Sequence, residues 1–220
     1  MKDYLYRTFL SSKKYVRYLR RLGCKVGEDV SLYQPINTIT IDITRPWLIS
    51  IGDHVRITKG VTILTHDYGW SVIKGISGEV IGSAREVRIG NNVFIGVNTV
   101  ILKGTTIEDH VIIGAGSIVS GHLEAESVYG GVPCRKLMTL EAYYEKRRSK
   151  AKEEYLEIMK RMNEKNASKE EILRATREYF WLYADRKAEL PQDVKALIGR
   201  TGYQEKVLEA FYQSEKTNNM

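Results

Sequence analysis

Aliphatic residues recur at every sixth position through the middle of the chain, and this period constrains the fold more than any other feature. From residue 89 onward the leading residues of successive sixes are Ile89, Ile95, Ile101, Ile107, Ile113 and Val119. An earlier run of the same form is led by Ile51, Ile57 and Ile63. Positions six apart differ by about 240° around an α-helix, so a helix would scatter these side chains around its surface. The pattern indicates short strands, which the β-branched content also favours.

Short strands with this period build a solenoid, in which each six-residue unit forms one flat side and points its first side chain inward. Stacked coils bury these side chains only against neighbouring coils, so several coils are needed. Glycine takes the second place in several units, and we expect it there to permit the backbone angles of a corner; examples are Gly90, Gly96 and Gly114. A weaker copy of the repeat covers residues 26–30.

These repeats resemble those of the hexapeptide-repeat acyltransferases, including the maltose/galactoside and capsule-type O-acetyltransferases, over residues 23–137. The resemblance implies a left-handed parallel β-helix with three sides per coil and 18 residues per turn. Three stacked pairs are then expected: Ile89 on Ile107, Ile95 on Ile113, and Ile101 on Val119. The resemblance also implies acetyl-CoA as acyl donor and a homotrimer with active sites between subunits.

The repeat occupies one of three predicted domains, and the whole chain is expected to be mainly β. An amphipathic N-terminal helix covers residues 1–22, the β-helix covers residues 23–138, and an α-helical extension covers residues 139–220. In the extension, Ser168 followed by Glu171 forms a capping box that starts a helix, and a further short helix is expected over residues 203–212. The basic N-terminal helix either covers the first coil or contacts an anionic membrane surface.

A loop excursion over residues 67–86 interrupts the repeats. A connection of this length is uncommon in a compact domain unless it is functional. It contains Tyr68 and Trp70, whose rings suit stacking on a sugar or closing a pocket. Phe94, on the following coil, stands where related galactoside-type enzymes have tryptophan, and it is the third residue expected to bind the acceptor.

His66 immediately precedes this loop, where similar enzymes carry a histidine that acts as general base on an acceptor hydroxyl. A neutral imidazole suits that task near neutral pH. Position within the six does not single it out, because the other histidines also take fourth places: His54, His110 and His122. Asp67 either orients the imidazole or merely begins the loop. By the same resemblance, the backbone amide of Gly96 or Val97 donates a hydrogen bond to the developing oxyanion.

The stretch VYGGVPCRKL, residues 128–137, resembles the end of the coils in hexapeptide acetyltransferases. The resemblance places Arg135 and Lys136 against the phosphates of CoA, and arginine suits phosphate because its fork donates two hydrogen bonds. Ala115 and Gly116 correspond to the strip along which pantetheine lies. Gly121 departs from the pattern, because relatives often have a lysine there.

Net charge and cysteine content indicate where the protein is located and which partners it has. The formal net charge is +7, but the basic residues concentrate near the termini and no nucleic-acid-binding motif accompanies them, so we expect no nucleic-acid partner. The two cysteines lie far apart in sequence, which favours a reducing compartment. We expect a cytoplasmic protein, or one at the inner face of the membrane.

The interpretation favoured by these features is an acetyl-CoA-dependent O-acetyltransferase acting on a saccharide hydroxyl, small or lipid-linked. Acetylation of an antibiotic or of an amino-sugar nitrogen is an alternative, and a non-catalytic trimeric scaffold is an alternative of another class. A zinc lyase with the same solenoid needs two histidines five residues apart, whereas the intervals here are 12, 44 and 12, so no metal is expected.

Overall fold

A computed structural model describes residues 11–33, 35–176 and 178–179 of the chain. Its strands, in chain order, are β1 (Lys25–Val26), β2 (Ser31–Leu32), β3 (Thr40–Ile41), β4 (Ile49–Ile51), β5 (Arg56–Ile57), β6 (Thr62–Ile63), β7 (His66–Asp67), β8 (Ser83–Ala84), β9 (Val87–Ile89), β10 (Phe94–Ile95), β11 (Val100–Ile101), β12 (Thr106–Ile107), β13 (Val111–Ile113), β14 (Ile118–Val119), β15 (His122–Leu123), β16 (Ser127–Gly130) and β17 (Arg135–Thr139). The helices are α1 (Ser12–Leu22), α2 (Trp70–Ser77), α3 (Leu140–Glu164) and α4 (Lys169–Ala175), with 3-10 turns at Ile36–Thr38 and Pro46–Leu48.

Successive strands visit three sheets in rotation, which makes the middle of the chain a three-sided coil of parallel strands. The first sheet has the order β1-β4-β9-β12-β15. The second sheet has the order β17-β16-β13-β10-β5-β2, and the third has the order β14-β11-β6-β3. Within these sheets only β17 runs antiparallel, pairing with β16 at the end of the coils. The left-handed sense of the coil remains a prediction from the resemblance.

The register confirms the predicted stacking of aliphatic side chains. Ile89 pairs with Ile107, Ile95 with Ile113, and Ile101 with Val119, each 18 positions apart. All these side chains are at most 3% exposed and belong to one continuous core. The fifth residue of most units is also buried, among them Val55, Val93, Thr99, Thr105 and Ser117. Each coil is therefore held by two inward side chains per face.

The role predicted for second-place glycines was wrong, because the corner angles fall elsewhere. Backbone φ is positive at fourth-place residues such as His54, Asn92 and His110, and glycine takes the same conformation at Gly104. The second-place glycines instead let neighbouring coils approach. A Cβ at Gly96 would lie 2.5 Å from the amide nitrogen of Ala115. The restriction at these positions is therefore steric contact between coils.

The loop leaves the solenoid at a corner without disturbing the register on either side. Ile63 pairs with Ile101, 38 positions later, and the excess of 20 over one coil equals the length of residues 67–86. Within the loop, β7 and β8 pair antiparallel, and α2 lies between them with no buried side chain. This helix was not predicted from the sequence.

Helix α1 covers the first coil, as one of the two sequence interpretations expected. Its buried side chains are Tyr15, Val16 and Leu19. The Ser12 hydroxyl accepts a hydrogen bond from the Leu32 amide, and the Arg20 guanidinium donates to the carbonyl of Val26 at 2.8 Å. Residues 1–10 of the predicted helix lie outside the described residues. Membrane contact through this basic segment remains a prediction.

The chain divides into two compact units, Met1–Tyr144 and Glu145–Met220. In the second unit the Ser168 capping box is present, because the Ser168 side chain accepts from the Glu171 amide and the Glu171 side chain accepts from the Ser168 amide. The helix predicted over residues 203–212 lies outside the described residues. None of the described helices is long and apolar enough to cross a membrane.

Stacking of the inward column can be tested with two isoleucines of one sheet. Ile101 is fully buried, whereas Ile118 is 37% exposed on the outer surface. We expect Ile101→Ala to lower the free energy of unfolding by about 2–5 kcal/mol, because it leaves a cavity between coils. Ile118→Ala should cost less than about 1 kcal/mol. Chemical denaturation measures both, and equal losses would contradict the inward assignment.

Candidate active site

His66 lies at the corner that follows β6, at the base of the loop. It begins β7 and pairs with Ala84 of β8. Its Nδ1 atom is 2.5 Å from Oδ2 of Asp42, and the two side chains are only 11% and 5% exposed. The side chains of His54 and His122, by contrast, are 54% and 58% exposed. Burial against a carboxylate thus distinguishes His66 from the histidines that share its place in the six.

Asp42 is a buried carboxylate whose oxygens accept several hydrogen bonds. Oδ1 accepts from the amide and the hydroxyl of Thr44, at 3.1 and 2.6 Å. Oδ2 accepts from the amide and the hydroxyl of Thr65, at 3.1 and 2.5 Å. Burial alone would raise the pKa of Asp42, but the hydrogen bonds from Thr44, Thr65 and His66 outweigh it and hold that pKa well below its usual range. The carboxylate is therefore ionised at neutral pH.

An ionised carboxylate can only accept hydrogen bonds, which fixes the tautomer of His66. Nδ1 must carry the proton that points at Asp42, and the Thr44 hydroxyl lies 3.4 Å from the same nitrogen. The lone pair of the neutral ring is then on Nε2, which has no hydrogen-bond partner in the described part of the chain. This Asp42–His66 dyad holds an imidazole in the form that accepts a proton.

Asp67 does not have the orienting role that the sequence suggested as one alternative. Its carboxylate accepts from the Gly69 amide at 2.9 Å and contacts the ammonium of Lys103. Because β7 is extended, consecutive side chains point to opposite sides, so His66 and Asp67 cannot both face Asp42. Asp67 begins the loop, and the orienting contact belongs to Asp42.

Two of the three aromatic residues expected at the acceptor site gather beside His66. Tyr68 meets the His66 ring edge-on at 5.0 Å between centroids, and Trp70 meets Tyr68 at 6.2 Å. The third, Phe94, lies on β10 in the second sheet, 40% exposed. There it lines a separate cavity of about 220 Å³ with His54, His110 and other residues. Within the described chain, Phe94 therefore does not join His66.

The two amides considered for the oxyanion differ in availability. The Gly96 amide donates to the Ile113 carbonyl at 2.8 Å as part of the contact between coils. The Val97 carbonyl accepts from Gly116, but the Val97 amide has no acceptor among the described residues, and the residue is 40% exposed. Of the two, Val97 is the amide free to donate to a ligand.

The residues expected to contact CoA are surface residues of the last coils. Ala115 and Gly116 are both exposed, and a Cβ at Gly116 would meet no atom within 4 Å. Arg135 donates to its neighbour's carbonyl at Cys134 and has no carboxylate partner in the described chain. Lys136 forms an ion pair with Glu124 at 2.8 Å. Arg135 thus keeps donors free for a ligand, whereas the Lys136 ammonium is already paired.

Asp42 was missed at the sequence level because the period of six fails around it. Ile41 pairs with Ile63, 22 positions later, which is four more than one regular coil. The additional residues lie in the corner between Ile41 and Ile49, which contains the 3-10 turn Pro46–Leu48. Another 3-10 turn, Ile36–Thr38, lengthens the preceding corner. The one available signal was the run TITIDIT, residues 38–44, whose alternation places an acidic residue at the end of a short strand.

Comparisons with known proteins agree with this architecture. A family model described as bacterial transferase hexapeptide (six repeats) matches residues 86–121. Protein CapG of Staphylococcus aureus is 41% identical over 125 residues, which cover 57% of this chain and 71% of that protein. The chain belongs to the hexapeptide-repeat acyltransferases. Members of this family are enzymes. In this chain, the repeats form the coil that holds the Asp42–His66 dyad.

Further relatives of this acyltransferase carry acetyltransferase names. The putative acetyltransferase YvoF of Bacillus subtilis is 34% identical over 153 residues, covering 69% of this chain and 74% of that protein. Galactoside O-acetyltransferase of Escherichia coli is 36% identical over 113 residues, covering 51% and 53%. Among solved structures, a maltose O-acetyltransferase from Clostridium difficile is 26% identical, with a TM-score of 0.47, and the match covers 63% of this chain and 82% of that one.

The low pKa of Asp42 makes its contribution to stability depend on pH. A carboxyl whose pKa is lower in the folded protein than the value of about 3.9 in the unfolded chain stabilises the fold above that value. The stabilisation is lost as pH falls through the folded pKa. We expect Asp42→Asn to lower the free energy of unfolding by about 2 kcal/mol at pH 7. The difference from wild type should shrink below about pH 4.

Urea denaturation of both proteins at pH 7, 5 and 3 measures this difference. Wild type serves as its own reference at each pH, so general acid effects cancel. A deficit of Asp42→Asn that stays constant down to pH 3 would show that the substitution acts through packing, and that the charge of Asp42 does not stabilise the fold.

Proposed function

We propose that this protein transfers an acetyl group from acetyl-CoA directly to a saccharide hydroxyl, with His66 as general base. The observation that supports this most strongly is the Asp42–His66 dyad at the mouth of the loop. Relatives named as acetyltransferases, including one named for galactosides, supply the reaction class and the type of acceptor. Tyr68 and Trp70 beside the imidazole provide aromatic surface of the kind that stacks on a sugar ring.

The dyad defines the path of the proton. Nε2 of His66 accepts the proton of the acceptor hydroxyl as that oxygen attacks the thioester carbonyl. Asp42 stabilises the imidazolium that forms and keeps Nδ1 protonated throughout, as a buried carboxylate does in other acid–base dyads. The imidazolium then returns the proton to the departing sulfur. No acyl-enzyme is needed, so no serine or cysteine nucleophile has to be near the dyad.

The negative charge that develops on the carbonyl oxygen needs a fixed donor. The Val97 amide is the candidate donor. The other amide considered for this role, that of Gly96, already donates to the carbonyl of Ile113. A donor fixed on the coil requires no reorganisation during reaction, which is the property that makes backbone amides effective in this role.

Acetyl-CoA supplies the acetyl group as an activated thioester. The described surface suits it at two places. Ala115 and Gly116 are small and exposed, so a thin pantetheine chain can approach the coil closely. Arg135 has free guanidinium donors that suit a phosphate.

The active site is completed in this proposal by a second copy of the chain. His66 follows a strand of the third sheet, whereas Phe94 lies in the second sheet, so one chain alone does not place both at the same acceptor. A homotrimer with sites between subunits places the exposed Phe94 of one copy against the loop of another. The exposed face of Phe94 would then form the wall opposite Tyr68 and Trp70.

Release of free thiol from acetyl-CoA tests the proposed reaction. Wild-type protein is assayed with a panel of saccharides, beginning with galactosides and maltose. We expect thiol release with at least one of them. His66→Ala should lower kcat by roughly 10²–10⁴-fold, the range that general base catalysis supplies.

His54→Ala is the matched control, because it removes an exposed histidine from the same place in another unit. Its kcat should remain near that of wild type, and any effect should fall on KM, because His54 shares a cavity with Phe94. Asp42→Asn should also lower kcat strongly, because an amide does not hold the imidazole in the required tautomer. Thiol release by His66→Ala equal to wild type would remove His66 from the mechanism, and no release with any saccharide would reject the acceptor class.

A further inference from the structure

The end of the loop brings a second cation to the corner occupied by the dyad. Arg85 directly follows Ala84, the residue that pairs with His66. The Arg85 amide donates to the carbonyl of Thr65 at 2.9 Å, so its backbone is bonded to the residue that directly precedes His66. These backbone contacts hold the Cα of Arg85 beside Thr65 and His66.

The side chain of Arg85 extends toward the next coil and lies against Gly104. A Cβ at Gly104 would approach Cδ of Arg85 to 3.1 Å and its Nη1 to 3.8 Å. Gly104 has φ of +76°, a conformation in which glycine is favoured, so the corner offers the arginine a surface without a side chain. Arg85 is exposed in this position.

Two other cations around this corner have anionic partners, whereas Arg85 has none in the described part of the chain. The ammonium of Lys103 contacts the carboxylate of Asp67. The guanidinium of Arg88 pairs with the carboxylate of Glu86 at 2.7 Å. Within the described ranges, the guanidinium of Arg85 has no carboxylate partner, and its charge is therefore free for a ligand.

The coil beneath leaves room for that ligand. Two successive coils turn this corner over different lengths. In the coil that carries Gly104, five positions separate Ile101 from Thr106. In the next coil, three positions separate their partners, Val119 and His122. The corner of that next coil is two residues shorter and is recessed under Gly104. At Gly121 in the recess, a Cβ would meet no atom within 4 Å.

We propose that Arg85 is an anion-binding residue of the active site, which takes a phosphate or carboxylate of a substrate whose reacting group lies at His66. The inference rests on the proposed function for the identity of that substrate. Arginine suits the role because its planar fork donates two parallel hydrogen bonds to either oxyanion. The anion comes from one of two sources: the phosphates of CoA, or an acidic group on the saccharide acceptor.

Binding measurements on the full chain separate these sources. Isothermal titration calorimetry is carried out with CoA and with pantetheine, which lacks the phosphates, and then with glucuronate and with glucose. Three proteins are compared: wild type, Arg85→Gln, and Arg88→Gln as the matched control. Arg88 is an exposed arginine three residues along the chain, so its replacement removes the same charge without touching the recess.

We expect Arg85→Gln to weaken binding of one anionic ligand roughly 10- to 100-fold, as expected for the loss of hydrogen bonds to a charged group. Its uncharged counterpart, pantetheine or glucose, should bind as to wild type, and Arg88→Gln should change neither. A loss confined to CoA identifies the donor phosphates as the anion, and a loss confined to glucuronate identifies an acidic acceptor.

Equal weakening of charged and uncharged ligands would overturn the proposal, because it would show that Arg85 only supports the loop. Equal effects of Arg85→Gln and Arg88→Gln would also overturn it, since they would reflect net charge alone. Wild-type protein that binds neither anion would overturn it as well. Anion binding that depends on Arg85, in a protein that releases no thiol with any saccharide, would instead support the anion site and reject the proposed transfer.

Discussion

Contact between each inward aliphatic side chain and its counterpart one coil away is the interaction on which the rest of this structure depends. Each coil buries its core only against its neighbours, so the register must be kept through the whole stack. Ile63 keeps its pairing with Ile101 although a 20-residue loop separates their coils. The close approach of backbones at Gly96 follows from the same stacking. The departures from the repeat, the loop and the additional residues after Ile41, therefore lie at corners, and so do the proposed site residues Asp42 and His66.

The Asp42–His66 dyad shows how such a stack can hold two side chains that we propose to act in catalysis. Its two members come from successive coils, and pairing of Ile41 with Ile63 sets their separation. A buried carboxylate is costly unless its oxygens are satisfied, and Thr44 and Thr65 provide the necessary donors. The coil therefore holds the His66 imidazole in one tautomer, at the base of a loop that is otherwise exposed.

The repeat region could be predicted closely from sequence, because period and burial are related directly. The stacked pairs of residues 89–119 and the placement of the loop agree with the structure. The partner of His66 could not be found in the same way. Asp67 was the nearest carboxylate in sequence, but an extended strand turns it away from the ring. Likewise, the choice between Gly96 and Val97 depended on which amide the neighbouring coil already uses.

The sequence by itself determined a solenoid of six-residue units, the position of the excursion and the histidine at its base, whereas the three sides per coil were implied by the resemblance. It could do so because a period of six in the middle of the chain is incompatible with a helix and brings every leading side chain inward when short strands are stacked. Only the tertiary structure decided that Asp42 holds His66, that Phe94 faces away from it, and that Arg85 has no carboxylate partner among the described residues near Gly121. Those relations join residues of different coils at irregular corners, where spacing along the chain no longer reports distance in space.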